Sequence, residues 1–208
     1  MLAFNRLIKA ASILLNLFKF LTSEQVDMKW VFRQADNKDI DAIVTLVDSA
    51  YRGESSRQGW TTEADLLDGR RTFSEEVAEI ISAEHNVILL LEEGDKLLAS
   101  VQVKKLSGNG VEMCSAYLGM FAVAPASQNL GIGKIVIEYA EKFVLENWQC
   151  SEMEMTVIQQ RVELISWYKK LGYQQTGEVR DFPYGDERYG IPKRDDLVLD
   201  VLVKSIVA

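Results

Sequence analysis

Residues 125–134, PASQNLGIGK, place Gln128, Gly131, Gly133 and Lys134 between an apolar run, YLGMFAV, and a segment of helical periodicity, IVIEYAEKFVLENW. Two glycines separated by one residue, after a strand and before a helix, suit a phosphate. Small residues let successive backbone N–H groups approach the anion, and the helix dipole favours its charge. The same letters also suit a tight strand-to-helix turn that holds nothing. Spacing removes two kinds of phosphate loop. A Walker-type loop needs Gly at Gln128 and Ser or Thr after Lys134, where Ile135 stands. A dinucleotide fingerprint needs a small residue at Val136 and an acid ending the next strand, whereas Glu154 lies inside its strand. The pattern that remains is Gln-x-x-Gly-x-Gly.

Other chemistries find less material. One histidine, His85, and two isolated cysteines, Cys114 and Cys150, form neither a zinc spacing nor a Cys-x-x-Cys pair, so no metal site is expected. The cysteines read as unpaired thiols of a reducing compartment, and the protein as cytoplasmic. A net charge of −8 speaks against a nucleic-acid surface, because phosphate neutralisation needs clustered Lys and Arg. It hints at a cationic substrate.

The elements that must position these residues follow from periodicity. At 208 residues and 48% hydrophobic, the chain can bury one core and carry an extension. Residues 1–27 are expected to form an amphipathic helical extension and 28–208 the domain. Lys9, Asn16 and Lys19 interrupt the first 23 residues too often for a membrane span, and an accessory helix is favoured over a membrane-surface helix or an early start codon. From Met28 the pattern predicts a strand, KWVFRQA, then a helix capped by Asp36 with Ile40, Ile43, Val44 and Val47 on one face. A short helix is expected over Thr62–Leu67, and a longer one over SEEVAEIISAE. A hairpin turns at Gly94-Asp95, a turn SGNG leads into a strand over Val111–Val123, and a helix covers Gly131–Trp148. EMEMTVI, RVELISWYKKLG and YQQTGEV read as strand, helix and strand. The run RDFPYGDERYGIPKRD has no period, and DLVLDVLVKSI closes as a strand. This is an α/β (α+β) domain with a mixed, largely antiparallel sheet flanked by helices.

On that scaffold the glycine loop resembles the pyrophosphate loop of the GNAT superfamily of acetyl-coenzyme A dependent N-acetyltransferases: Gln or Arg, two residues, Gly, one residue, Gly or Ala. LISWYKKLGY is similar to the family's second signature, a helix with an aromatic pair, a basic turn and Gly-Tyr. The resemblance covers Lys29 to Lys204. It implies a GNAT-like fold, acetyl-CoA as co-substrate with no metal, and acetyl transfer to a primary amine of a small molecule or peptide by direct attack in a ternary complex. It assigns cofactor contacts to Phe121, Ala122 and Val123 at the end of a splayed strand, and to Gln128, Asn129, Leu130, Gly131, Ile132, Gly133 and Lys134 in the loop. It assigns the general acid to Tyr168, since a phenol of pKa about 10 stays protonated and can give its proton to a thiolate of pKa about 8.5. Arg161 stands where many members carry an Asn against the cofactor, and is left out of the cofactor set.

Acceptor residues are expected in YRGESSRQGWTTEADLLDGRRT, where such enzymes hold acceptor loops. Its GWTTEA is similar to a stretch of small stand-alone bacterial and fungal members. Trp60 and Glu63 would supply an apolar wall and an anionic contact for a cation, while Arg57, Arg70 and Arg71 would suit a carboxylate instead. Tyr117, on the strand leading to Phe121, is expected to line the acceptor pocket, with Glu112 on the opposite strand face. Phe182, Tyr184 and Asp186 could close over the acceptor, because so long a structureless run is uncommon unless it is a lid or binding loop. The run could equally cover the sheet edge or make a dimer contact, so a homodimer stays open. A second class of function shares the fold: a non-catalytic acetyl-CoA sensor or interaction module. Retention of Tyr168 favours the enzyme.

Overall fold

The computed structural model describes residues 30–106 and 114–207. The extension 1–27, the turn SGNG and Glu112 lie outside them. Strand β1 (Trp30–Gln34) leads to Asp36, whose carboxylate accepts the Lys38 N–H while Asp39 returns a bond to the Asp36 N–H at 2.8 Å. This reciprocal cap starts a turn of 3-10 helix and then α1 (Ile40–Tyr51), which buries Ile43, Val44, Leu46, Val47 and Ala50 at helical spacing. A short helix α2 (Gly53–Ser56), strand β2 (Leu67–Asp68) and helix α3 (Ser74–Ser82) follow. Strands β3 (Asn86–Glu93), β4 (Lys96–Leu106) and β5 (Ser115–Val123) pair antiparallel. Helix α4 (Ile132–Trp148) connects β5 to β6 (Glu152–Ile158), which runs parallel to it. Helix α5 (Val162–Lys170), β7 (Gln174–Asp181), β8 (Ile191–Pro192) and β9 (Val198–Ser205) complete the order.

The main sheet runs β1-β3-β4-β5-β6-β9-β7, mostly antiparallel and flanked by helices. Ile88–Leu91 of β3 are all buried, as an internal strand covered on both faces requires. Helices α1 and α3 pack over Ile88, Leu90, Met120 and Ala122. Helix α4 lies against β4 and β5, and its Tyr139 stacks on Phe32 of β1 at 3.8 Å between ring centroids.

Two irregularities make the site. Between Ser100 and Gln102 the β4–β5 register slips, so that Met120 and Phe121 together oppose Val101, and Met120 adopts φ +42°. Such a bulge bends its strand. Strand β5 then pairs with β6 only over Ser115–Tyr117, against Glu152–Glu154, and beyond that point the two parallel strands part.

Three expectations need correction. Residues 62–67 do not form a helix. Glu63 accepts the N–H groups of Leu66 and Leu67 in a turn, and Leu67 then joins β2 against Pro192 of β8. The helical turn lies upstream, at α2. The cysteines are not isolated: Cys114 precedes β5, Cys150 precedes β6, and the parallel register brings them into a disulfide, beside a Ser151 N–H to Cys114 carbonyl bond of 2.9 Å. A separation of 36 residues hides that pairing from spacing rules. The aperiodic run is not structureless, because β8 pairs with β2 and Lys193 binds the carbonyls of Leu66 and Ala64 at 2.9 and 2.7 Å.

Candidate active site

The parting of β5 from β6 leaves two cavities that meet. The larger, about 420 Å³, is lined by Phe121 and Val123 of β5, by Gln128, Asn129, Gly131, Gly133 and Lys134, and by Trp167 and Tyr168 of α5. Asn129 and Gly131 both take left-handed backbone, φ +65° and +80°. This conformation turns successive N–H groups toward one side. Helix α4 starts at this point with no side-chain cap. The N–H groups of residues 129–133 have no hydrogen-bond partner among the described residues. Five adjacent unmet donors beside a helix N-terminus form an anion cradle. The two glycines are needed for different reasons. Gly131 faces open space but holds a positive φ, whereas a Cβ on Gly133 would lie 3.2 Å from the Trp167 ring.

The expected cofactor residues do not all face this cavity. Alternation along β5 turns Ala122 away, to pack under α1. Leu130 is 67% exposed and Ile132 is buried beneath the loop, so these two lend only backbone to the cradle. Gln128 is buried and its amide is fully used. It accepts the Trp60 N–H at 2.9 Å and donates to Thr61 Oγ1 at 2.9 Å and to the Val123 carbonyl at 3.0 Å. Gln128 thereby fastens the segment 59–63 to the end of β5. Lys134 stays exposed and pairs with Glu138 at 3.6 Å.

The smaller cavity, about 140 Å³, shares Tyr51, Phe121, Leu164 and Tyr168 with the larger one. Its remaining polar wall comes from Glu63, Arg71, Tyr117, Thr156, Arg161 and Tyr189. Tyr168 is 5% exposed. Its hydroxyl has no hydrogen-bond partner among the described residues, yet is absent from the fully buried unsatisfied atoms, so it opens onto the cavities. Burial pushes this phenol well above its ordinary pKa, with Tyr51 adding to the effect and Arg161 opposing it, and it stays protonated. Tyr51, at the end of α1, donates to the Phe121 carbonyl at the bulge. Burial, then Glu63, push its pKa up to about 12. Periodicity makes Tyr51 one more apolar-face residue, four on from Val47, and only the bulge gives its hydroxyl a task.

The structure divides the expected acceptor residues. Tyr117 lines the smaller cavity and bonds Thr156 Oγ1 at 2.8 Å. Glu63 lines it too, but is held by Arg52 at 2.5 Å and faces Arg161 at 3.8 Å, so the expected contact for a substrate cation already has two protein cations. Trp60 faces the larger cavity, edge-on to Trp167. Phe182 reaches the smaller cavity, whereas Tyr184 is fixed by the Leu197 N–H at 2.6 Å and Asp186 by Arg188 at 2.5 Å, both outside it. Arg161 binds the Thr61 carbonyl at 3.1 Å and Glu163 at 2.7 Å and lines the smaller cavity, not the larger. Among the described residues no group of three or more potential ligands could hold a metal, and no helix is long and apolar enough to cross a membrane.

Residues 40–173 match the family model of the acetyltransferase (GNAT) family. No curated protein matches the chain by sequence. Solved structures match by fold. An N-acetyltransferase from Staphylococcus aureus is 10% identical with a TM-score of 0.64, over 86% of this chain and 99% of that one. An acetyltransferase of the GNAT family from Streptococcus pneumoniae is 17% identical with a TM-score of 0.60, over 85% and 99%. The protein yncA from Salmonella typhimurium, solved with its cofactor acetyl-CoA, is 17% identical with a TM-score of 0.61, over 86% and 94%. The chain belongs to the acetyltransferase (GNAT) family, and by that membership it is an acyltransferase.

Proposed function

We propose that the chain is an acetyl-CoA dependent N-acetyltransferase in which a primary amine, of a small molecule or peptide, attacks directly within a ternary complex. One observation carries this reading: two cavities, one with an anion cradle, meet at a buried tyrosine whose hydroxyl is unbonded among the described residues. The cavity of the cradle fits the cofactor's chemistry, because unmet N–H donors answer a diphosphate and an aromatic wall of Phe121 and Trp167 answers an apolar arm. When bound, acetyl-CoA supplies an acetyl group activated as a thioester.

The residues then have separate tasks. N–H groups 129–133 hold the diphosphate, and the edge of β5 beyond Tyr117, free of β6, lies along the arm. Tyr51 fixes the bulge by binding the Phe121 carbonyl. Tyr168 keeps its proton on Oη for the sulfur that departs as the new N–C bond forms, and the proton lost by the amine restores it through solvent. An alkyl ammonium of pKa about 10.4 costs roughly 4–5 kcal/mol to deprotonate at pH 7. Glu63 is spent on two arginines, so burial and the neighbouring guanidiniums, which disfavour a second cation, offset part of that cost.

Calorimetric titration with acetyl-CoA, followed by thiol release over amines, amino acids and peptides, tests the reading. Tyr168→Phe is expected to lower kcat by about 100-fold or more while acetyl-CoA affinity stays within about twofold. The lack of an unpaired carboxylate among the described residues of the smaller cavity favours one rival, a non-catalytic acetyl-CoA sensor. Cofactor binding with no thiol release from any acceptor would select it.

A further inference from the structure

The three arginines of the acceptor segment have different fates. Arg57 pairs with Asp65 at 2.9 Å and Arg70 with Asp48 at 3.0 Å, both at the surface. Arg71 alone lines the smaller cavity. Its backbone is anchored, with its N–H on Asp48 Oδ1 at 2.7 Å and Thr72 fully buried beside it. Its guanidinium forms no ion pair and no hydrogen bond among the described residues, and lies 5.7 Å from the centroid of the Tyr51 ring. Near this cavity Arg52, Arg71 and Arg161 stand with Glu63, Glu76 and Glu163. Arg52 and Glu63 pair, Arg161 takes Glu163 and the far side of Glu63, and Glu76 bonds Thr72, so Arg71 feels Glu63 and Glu76 only at longer range and keeps its donors unbonded. A guanidinium that faces a small cavity with its donors unbonded can hold a carboxylate by two parallel hydrogen bonds.

We infer that the acceptor is a small aminocarboxylate, held by its carboxylate on the Arg71 guanidinium with its amine directed to the wall shared by Tyr51 and Tyr168. This deepens the transfer reading above and rests on it. Cavity size agrees. A dry cavity of about 150 Å³ takes a benzene-sized molecule, and about 140 Å³ admits an amino acid with a short side chain but no long polyamine or folded peptide. The geometry also opposes a dicationic acceptor, since Glu63 is already neutralised. Tyr51 touches both the Arg71 side and the cofactor side, so a compact molecule spans from the guanidinium to the reacting wall. The acetyl group passes to the amine nitrogen, a C–S bond is exchanged for an N–C bond, and the carboxylate is unchanged.

The test uses matched pairs at saturating acetyl-CoA: glycine, alanine, serine, β-alanine and γ-aminobutyrate, each against its carboxamide. The amides carry the less basic amine, so any intrinsic bias favours them. Expected is a kcat/KM at least about 30-fold higher for the best acid than for its amide. Arg71→Gln should erase that preference by lowering the acid alone, and Arg71→Lys should keep part of it. Acetyl-CoA affinity by calorimetry should be unchanged in both variants. Amides turned over as well as acids, or an Arg71→Gln loss equal for both, would overturn the inference. If acetyl-CoA binds and no acceptor is acetylated, the transfer reading fails separately. Calorimetry of the same acids into the protein saturated with CoA then decides: heat that Arg71→Gln abolishes upholds the carboxylate site, and no heat overturns it.

Discussion

The two cavities that meet at Tyr168 are built in opposite ways. The larger takes its polar groups from the backbone of one short segment, residues 129–133, shaped by two left-handed residues and the start of α4. The smaller takes its polar groups from side chains on several separate elements: Tyr51 of α1, Glu63 and Arg71 of the following segment, Tyr117 of β5, Thr156 of β6, and Arg161 ahead of α5. A backbone cradle serves a ligand common to a whole family, because it needs only the turn. In the proposed reading a side-chain chamber sets the individual acceptor, because each contributing element can change without disturbing the cradle.

The contrast can be broken from either side. The largest effect should come from Glu63→Gln, which leaves Arg52 and Arg161 facing each other without their shared carboxylate. About 3–5 kcal/mol of stability is expected to be lost, read as a lower urea midpoint, while the folded fraction binds acetyl-CoA as before. Equal loss of cofactor affinity would show that the two cavities are one unit. Gly131→Ala acts on the other side. It puts a Cβ at φ +80° in open space, so the strain, about 1–2 kcal/mol, falls on the cradle. Acetyl-CoA affinity should drop about tenfold by calorimetry, with the ranking of acceptors unchanged.

The smallest effect concerns the shared wall. Tyr51 and Tyr168 have folded pKa values above the ordinary value of about 10, chiefly through burial. A raised folded pKa means the folded state binds protons that the unfolded state has released. Their contribution is therefore complete below about pH 10 and is lost as pH rises through the folded values. With Tyr51 at about 12, its share of the loss at pH 10.5 is on the order of 1 kcal/mol, measurable as a shift in urea midpoint between pH 9 and pH 10.5. The rate should show no falling limb up to pH 10, because Tyr168 keeps its proton there. A limb near pH 9 would remove it as the acid.

Much of the fold was legible because its signals are local. Alternation in EMEMTVI, helical spacing in IVIEYAEKFVLENW and the stop at Gly172 correspond to β6, α4 and the end of α5. Residues 62–67 misled for a physical reason. Their composition permits a helix, but Glu63 is drawn into a buried ion pair and Leu67 into a strand, and tertiary contacts outweigh weak propensity. Tyr184 and Asp186 lie outside both cavities because the Leu197 N–H holds one and Arg188 the other, contacts that a run without period does not announce.

The sequence by itself determined the long strands and helices, the glycine loop that ends a strand and opens a helix, and the helix that carries Tyr168, since each depends on neighbours within a few residues. Only the tertiary structure decided that Cys114 meets Cys150, that Gln128 ties Trp60 and Thr61 to β5, that Glu63 pairs with Arg52 and that Arg71 lines a cavity without a direct ion pair. Those outcomes depend on strand register and on which charges are buried together, and residues tens to a hundred positions apart come within reach of a hydrogen bond only once the sheet has formed.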